Sequence, residues 1–196
     1  MLDGPIRDRV AERRELTRRE IIDAAWEVAG EVGLASLTLR QIAAKVGMQA
    51  PSLYSHFESK NAIYDEMFAR AWGDFEESAL ARWANLSGQP RLAVKQMVRH
   101  FFDFAVADLA RYQLMNQRIL VGFEPTARSF APSLRVVERS AEIHQAAGVS
   151  SEDHLILLAL VSGVVNQHFA NDPGGTTYSD LLDRSVDMWA DAVGLR

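Results

Sequence analysis

The stretch from Leu37 to Lys60 limits this chain more than any other part of it. It reads as two short helical patterns separated by a glycine turn. Thr38 is placed to N-cap the first helix, and Gln41, three residues on, completes a capping box. Ile42 and Val46, four apart, give that helix one apolar face with Ala43 beside it. Gly47 stands where a left-handed backbone ends the helix. Pro51 falls in the first turn of the next helix, where its missing N–H costs nothing. Leu53 and Phe57, again four apart, anchor that helix inward and leave Gln49, Ser52, Tyr54 and His56 pointing away. Small polar and aromatic side chains thus open a helix where a core helix would carry aliphatics. That is the layout of a helix-turn-helix whose second helix enters a DNA major groove. Ser59 and Lys60 open a third, long helix. A lysine at that end opposes the helix dipole and makes better sense if a phosphate sits there as well.

The segment from Thr17 to about Lys60 resembles the DNA-binding domain of the tetracycline-repressor (TetR) family of bacterial transcriptional regulators. The residues that carry the likeness are Thr17–Gly33 as a first helix, Leu37-Thr38-Leu39-Arg40-Gln41-Ile42-Ala43, Gly47-Met48, Leu53-Tyr54-Ser55-His56-Phe57 and Lys60. They cover roughly a quarter of the chain, and the rest agrees only in length and helical layout. The resemblance implies phosphate contacts from Thr38, Tyr54, His56 and Lys60, and base-edge contacts from Arg40, Gln49, Pro51 and Ser52. Ala50 departs from members that carry a long polar side chain there, and base reading is not assigned to it. A homodimer on a palindromic operator, with an effector held in the C-terminal domain, is implied in the same way.

A net charge of −5 argues at first against a polyanionic partner. Its distribution weakens the objection: residues 1–60 hold 9 basic and 9 acidic side chains, and residues 61–196 hold 12 and 17. Ahead of the motif, residues 1–16 read as a basic arm. Arg7, Arg9, Arg13, Arg14, Arg18 and Arg19 form a run able to neutralise phosphates or reach a minor groove. Asp8, Glu12, Glu15 and Glu20 are interleaved with it, so a solvated helix end is the plainer reading. With 48% apolar and 24% charged residues, the chain has the composition of a soluble globular protein. It has no cysteine, which rules out disulfides and thiolate metal sites and fits a reducing cytoplasm. The charged N-terminus lacks an apolar signal-peptide core. The longest apolar run, Leu155–Val161, is too short to span a bilayer, so no membrane partner is expected.

The remaining pattern predicts helices almost throughout, with no strand alternation and no repeat. A second capping box, Thr17-Arg18-Arg19-Glu20, is expected to open the first helix. Further helices are expected at Lys60 to about Asn85, Arg91–Ala110, Tyr112–Val121, Ser133–Ala147, Glu152–Ala170 and Thr177–Val193, with Thr177 as cap of the last. Gly122–Pro132 is expected as a loop. The fold class is all-α, about nine helices: a three-helix helix-turn-helix domain at 17–60 and an effector-binding and dimerisation bundle at 61–196.

Two regions of that bundle suggest partners. Leu155–Val161 leaves no polar face, and a helix apolar all round must be buried all round. The last helix carries Leu182, Val186, Trp189 and Val193 as a stripe. Leu157, Val161, Val164, Leu182, Val186 and Trp189 are therefore the candidate dimer interface, since a reader of a palindrome needs two-fold symmetry. The centre of the chain concentrates aromatic and methionine side chains. Met97, Phe101, Phe104, Tyr112, Met115, Phe123, His144 and His168 are the candidate contacts for a small, apolar or aromatic effector. An aromatic stripe at helical spacing also serves as plain core, and the pattern alone does not separate the two.

Catalysis and metal binding find little support. His154 and His168, 14 residues apart on one helix, stand about 21 Å apart and cannot share a metal. There is no His-x-x-x-His pair, phosphate-binding glycine loop or Gly-x-Ser-x-Gly. No catalytic residue, metal or cofactor is expected. A helical adaptor with a degenerate DNA domain is countered by Tyr54, His56 and Lys60. The reading is a homodimeric, ligand-responsive repressor of transcription. An activator or a ligand-independent regulator of the same fold is the alternative.

Overall fold

A computed structural model describes residues 9–196. The described residues form nine helices and no strand: α1 Arg9–Val32, α2 Leu39–Val46, α3 Ala50–Leu53, α4 Lys60–Trp83, α5 Pro90–Val106, α6 Leu109–Asn116, α7 Ala127–Ala146, α8 Ser151–Asn171 and α9 Thr177–Ala192.

The first three helices and the start of α4 make a head. Ile21, Ile22 and Ala25 of α1 meet Leu37, Ile42, Leu53, Phe57 and Ile63 in a continuous core. Every one of these side chains is almost fully withdrawn from water, and burial of a large aliphatic side chain contributes about 1.5–3 kcal/mol. At 24 residues α4 is about 36 Å long, and the same core follows it out of the head through Met67, Phe68, Trp72 and Phe75. A second core joins α5 to α8 and α9 through Val94, Val98, Phe102, Leu157, Val161, Val165, Leu182, Val186 and Trp189. Beside it, Asp187 takes Arg91 at 2.8 Å and Lys95 at 2.7 Å, and Arg99 reaches Asp183 at 3.0 Å.

Several helix ends differ from the sequence expectation, each for a local or tertiary reason. α1 begins by Arg9, so Thr17 is interior and donates its hydroxyl to the Arg13 carbonyl instead of capping. Of the expected arm, residues 1–8 lie outside the described residues, and 9–16 are helical. The break expected after Ala110 comes earlier. Asp108 caps α6 by accepting from the Arg111 N–H at 2.9 Å, and that helix stops at Asn116. α7 starts at Ala127, so Pro132 is inside it and not in a loop. The Asp65 carboxylate, 61 residues away, accepts from the Thr126 N–H at 2.7 Å and the Thr126 hydroxyl at 2.9 Å, and also from the Ser129 hydroxyl. That long-range cap fixes the first turn before proline can end the helix. α9 does begin at Thr177, but the cap is Asp172, which accepts from the Thr177 N–H at 2.9 Å.

Candidate nucleic-acid interface and ligand cavity

In the head the local chemistry follows the sequence. Thr38 caps α2 and accepts from the Gln41 N–H, while the Gln41 side chain accepts from the Thr38 N–H at 2.9 Å. Gly47 takes φ 75°, and the Met48 N–H returns to Ala43 O at 2.9 Å, closing the turn. α3 is a single turn with Gln49 as N-cap and Pro51 in its first turn. Leu53 and Phe57 are buried. Thr38, Arg40, Gln49, Pro51, Ser52 and Tyr54 are all exposed, Tyr54 at 59%. The two remaining candidates, His56 and Lys60, are half-buried.

Lys60 has a structural job that the sequence did not disclose. Its Nζ donates to Leu37 O at 3.0 Å and lies 5.3 Å from the centroid of the Tyr64 ring. One of the three ammonium hydrogens is thus engaged at the turn leading into α2. Tyr64 Oη donates to Leu34 O at 2.6 Å in the same turn. The start of α4 therefore grips both ends of the α1–α2 connection. Behind α3, Arg14 donates to Ser55 O at 3.0 Å, and Arg18 donates to the His56 carbonyl. The Arg18 guanidinium sits 4.0 Å from the Phe57 ring centroid and pairs with Glu66 at 3.4 Å. These two arginines hold the backbone that presents Tyr54 and His56. Arg9, Arg13, Arg14, Thr17 and His56 share a groove of about 580 Å³ beside it.

Two of the cavities in the body share Asn116. The outer, of about 420 Å³, lies between α4 and the segment before α7 and has Phe68, Met115, Phe123 and Phe130 in its wall. Phe68 stacks on Phe130 at 6.0 Å, and Phe123 meets Tyr64 edge-on at 5.7 Å. The inner cavity, of about 210 Å³, is bounded by α4, α5, α7 and α8, with Trp72, Phe75, Trp83, Met97, Phe101 and His144 in its wall. Of the effector candidates, Met97, Phe101 and His144 line the inner cavity and Met115 and Phe123 the outer. Phe104, Tyr112 and His168 line neither. Phe104 packs on Phe75 at 4.9 Å, Tyr112 donates to Asn166 at 3.2 Å, and His168 packs edge-on against Phe102 at 5.6 Å. Burial pushes His144 and His154 below the ordinary histidine range, against the Ser140 carbonyl that favours the charged form of His144.

The candidate dimer residues need correction. Leu157, Val161, Leu182, Val186 and Trp189 are buried within the protomer's own second core, and Val164 is half-buried against it. The apolar side chains that α8 does expose are Leu155 at 63%, Ile156 at 52% and Leu158 at 37%. α9 exposes Leu181 and Met188, and α7 exposes Leu134 and Val137. A helix apolar all round is here buried on one side only. Among the described residues, no helix is long and apolar enough to cross a membrane, and no three His, Asp or Glu gather as a metal group.

An exposed polar α3 on a buried apolar heel, set on a long-helix body, defines a helix-turn-helix protein with a separate helical domain. Residues 21–67 match the family described as bacterial regulatory proteins, tetR family. Over 196 aligned residues the chain is 27% identical to the class A tetracycline repressor protein from transposon 1721 of Escherichia coli, covering 91% of this chain and 83% of that one. It is 26% identical over 100 residues to the HTH-type transcriptional regulator AcrR of Shigella flexneri, covering 51% of this chain but only 46% of that relative. The fold superposes on the TetR family transcriptional regulator PfmR from Thermus thermophilus with a TM-score of 0.66 at 18% identity, covering 86% of this chain and 96% of that one. The match to the tetR family thus covers the helix-turn-helix head, and the likeness along the rest of the chain is one of fold.

Proposed function

We propose that the chain is a cytoplasmic transcriptional repressor, without enzymatic activity, that binds a palindromic operator as a homodimer and is released by a small, largely apolar effector. The observation that carries this reading is the outward set Gln49, Pro51, Ser52 and Tyr54 on a turn whose Leu53 and Phe57 are locked into the head core. Gln49, Ser52 and Arg40 read base edges, with Pro51 against them. Thr38, Tyr54, His56 and the remaining Lys60 hydrogens hold phosphates. Arg14 and Arg18 position the loop from behind. The second copy covers the exposed apolar residues of α8 and α9, which gives the two heads the two-fold symmetry of a palindrome.

The release mechanism follows α4. Trp72, Phe75 and Trp83 on this helix form part of the inner cavity wall, and its first residues grip Leu34 O and Leu37 O. An effector acts only through different affinities for two conformations. A small swing of α4 transmits to the turn ahead of Thr38 and changes the spacing of two heads that must fit successive major grooves about 34–36 Å apart. Selection from a random duplex pool supplies the operator, and fluorescence anisotropy then measures affinity against salt. The expected result is a steep fall with salt, a uniform loss for Tyr54→Ala and altered sequence preference for Gln49→Ala and Ser52→Ala. Unchanged affinity and preference in all three variants would remove this docking face.

A further inference from the structure

The inner cavity carries polar atoms whose state fixes the chemistry of what it accepts. His144 is almost fully buried in its wall. Nδ1 lies 2.7 Å from Ser140 O. A carbonyl oxygen only accepts, so Nδ1 holds the ring proton. Burial disfavours the charged ring and keeps it neutral at pH 7, and the His154 ring lies beside it with its centroid 4.7 Å away. Nε2 is then a bare lone pair, buried and without a hydrogen-bond partner in the protein. Two more residues of the same wall, Trp72 and Trp83, each carry an orphaned indole Nε1, a donor that can never accept. No Lys, Arg, Asp or Glu lines the cavity.

We infer that the inner cavity takes an uncharged, single-ring-sized molecule bearing a hydroxyl, of phenol or alcohol type, whose O–H donates to His144 Nε2. The inference rests on the effector reading of this cavity and names the ligand class. A volume of about 210 Å³ exceeds the roughly 150 Å³ that holds a benzene ring in a dry apolar cavity, leaving room for a short substituent. The phenyl and indole walls take the ring. A hydroxyl supplies the donor that Nε2 lacks and oxygen lone pairs of the kind an indole N–H uses. A carboxylate brings no donor, meets the lone pair of a neutral imidazole and finds no cation. An ammonium brings donors but no counter-charge, so its burial is unfavourable.

Calorimetric titration of the full chain, without DNA, with four single-ring probes tests the inference. The expected order is para-ethylphenol about tenfold tighter than para-ethylanisole, its methyl-capped form that lacks the donor, and tighter than ethylbenzene by a similar factor, with para-ethylbenzoate weakest. His144→Leu brings the phenol and the anisole to within about twofold of each other while ethylbenzene still binds. Should that variant not fold, the wild-type series decides alone. An anisole as tight as the phenol, a benzoate tighter than either, or no phenol binding at millimolar concentration overturns the inference. A phenol bound with the expected selectivity that leaves operator affinity unchanged overturns the effector reading and leaves the cavity chemistry standing. Operator release by a compound with no donor does the reverse.

Discussion

In α3 and its following turn, Leu53 and Phe57 point inward while Gln49, Ser52 and Tyr54 point outward. In α8 the inward set is Leu157, Val161 and Val165, and the outward set is Leu155, Ile156 and Leu158. The inward halves of the two regions are built alike, as apolar residues at helical spacing in a close-packed core. Only the outward halves differ. In the head they are polar and hydrogen-bonding, suited to a wet, charged partner. On α8 they are aliphatic, suited to a dry one made of protein. The periodicity of a helix tells what it packs on within its own chain. The chemistry of the residues left over tells what it meets outside.

The largest expected effect separates the two faces of α8. Leu157→Glu places an unpaired carboxylate in the second core, at a cost of about 4 kcal/mol or more. The cooperative thermal transition should be lost in circular dichroism. Ile156→Glu, one residue away, should keep its melting temperature to within about 3 °C and instead turn the proposed dimer into a monomer in sedimentation. An Ile156→Glu protein that remains dimeric moves the interface off this face.

Acid should act on the body through its buried histidines. His100 is pushed down to about 4 by burial and by the nearby Arg82, and His144 and His154 are shifted the same way by burial. Each stays neutral when folded, while the unfolded chain takes up protons below its ordinary histidine value. Stability is therefore complete above pH 6.5 and falls as pH drops from there toward about 4. The melting temperature should fall by roughly 5 °C or more between pH 7 and pH 5. A flat melting temperature across that range would contradict the burial of these rings.

The head should show large effects on recognition with small ones on stability. Gln49→Ala or Ser52→Ala should erase about 1–3 kcal/mol of discrimination between the preferred operator and a single-base variant. Thermal melting should stay unchanged, because both side chains are exposed. Last comes Tyr64→Phe. It removes one hydrogen bond to Leu34 O, worth about 1 kcal/mol, or about 2–4 °C in a chain of this size. It should also blunt effector release measured by anisotropy, since the grip of α4 on the head is loosened.

The same contrast explains what could be read before the structure. The capping box of Thr38 and Gln41, the left-handed Gly47 and Pro51 in a first turn are local devices, complete within a few residues, and each was legible. Asp65 capping α7 across 61 residues is not local, so Pro132 read as the end of a loop. The Thr17 signal misled because a threonine can satisfy its hydroxyl inside a helix, here on Arg13 O. The aromatic cluster announced an apolar centre but not its walls. Met97, Phe101 and His144 reach the inner cavity, whereas Phe104, Tyr112 and His168 of the same composition fill core around it. For α8 the periodicity did not tell which apolar residues the chain keeps for itself: Leu157 and Val161, read as facing a second copy, are buried in the protomer's own core, and Leu155, Ile156 and Leu158 are left exposed.

Val137 and Leu158 stand in two places at once: they form part of the inner cavity wall and belong to the exposed apolar surface of α7 and α8. A second protomer seated there would close the rim. Occupancy and self-association would then be linked equilibria, and dilution alone would weaken the apparent affinity for ligand while saturation with ligand would tighten the dimer. The cell's copy number of the protein would be an input to its response, alongside the concentration of the molecule it senses.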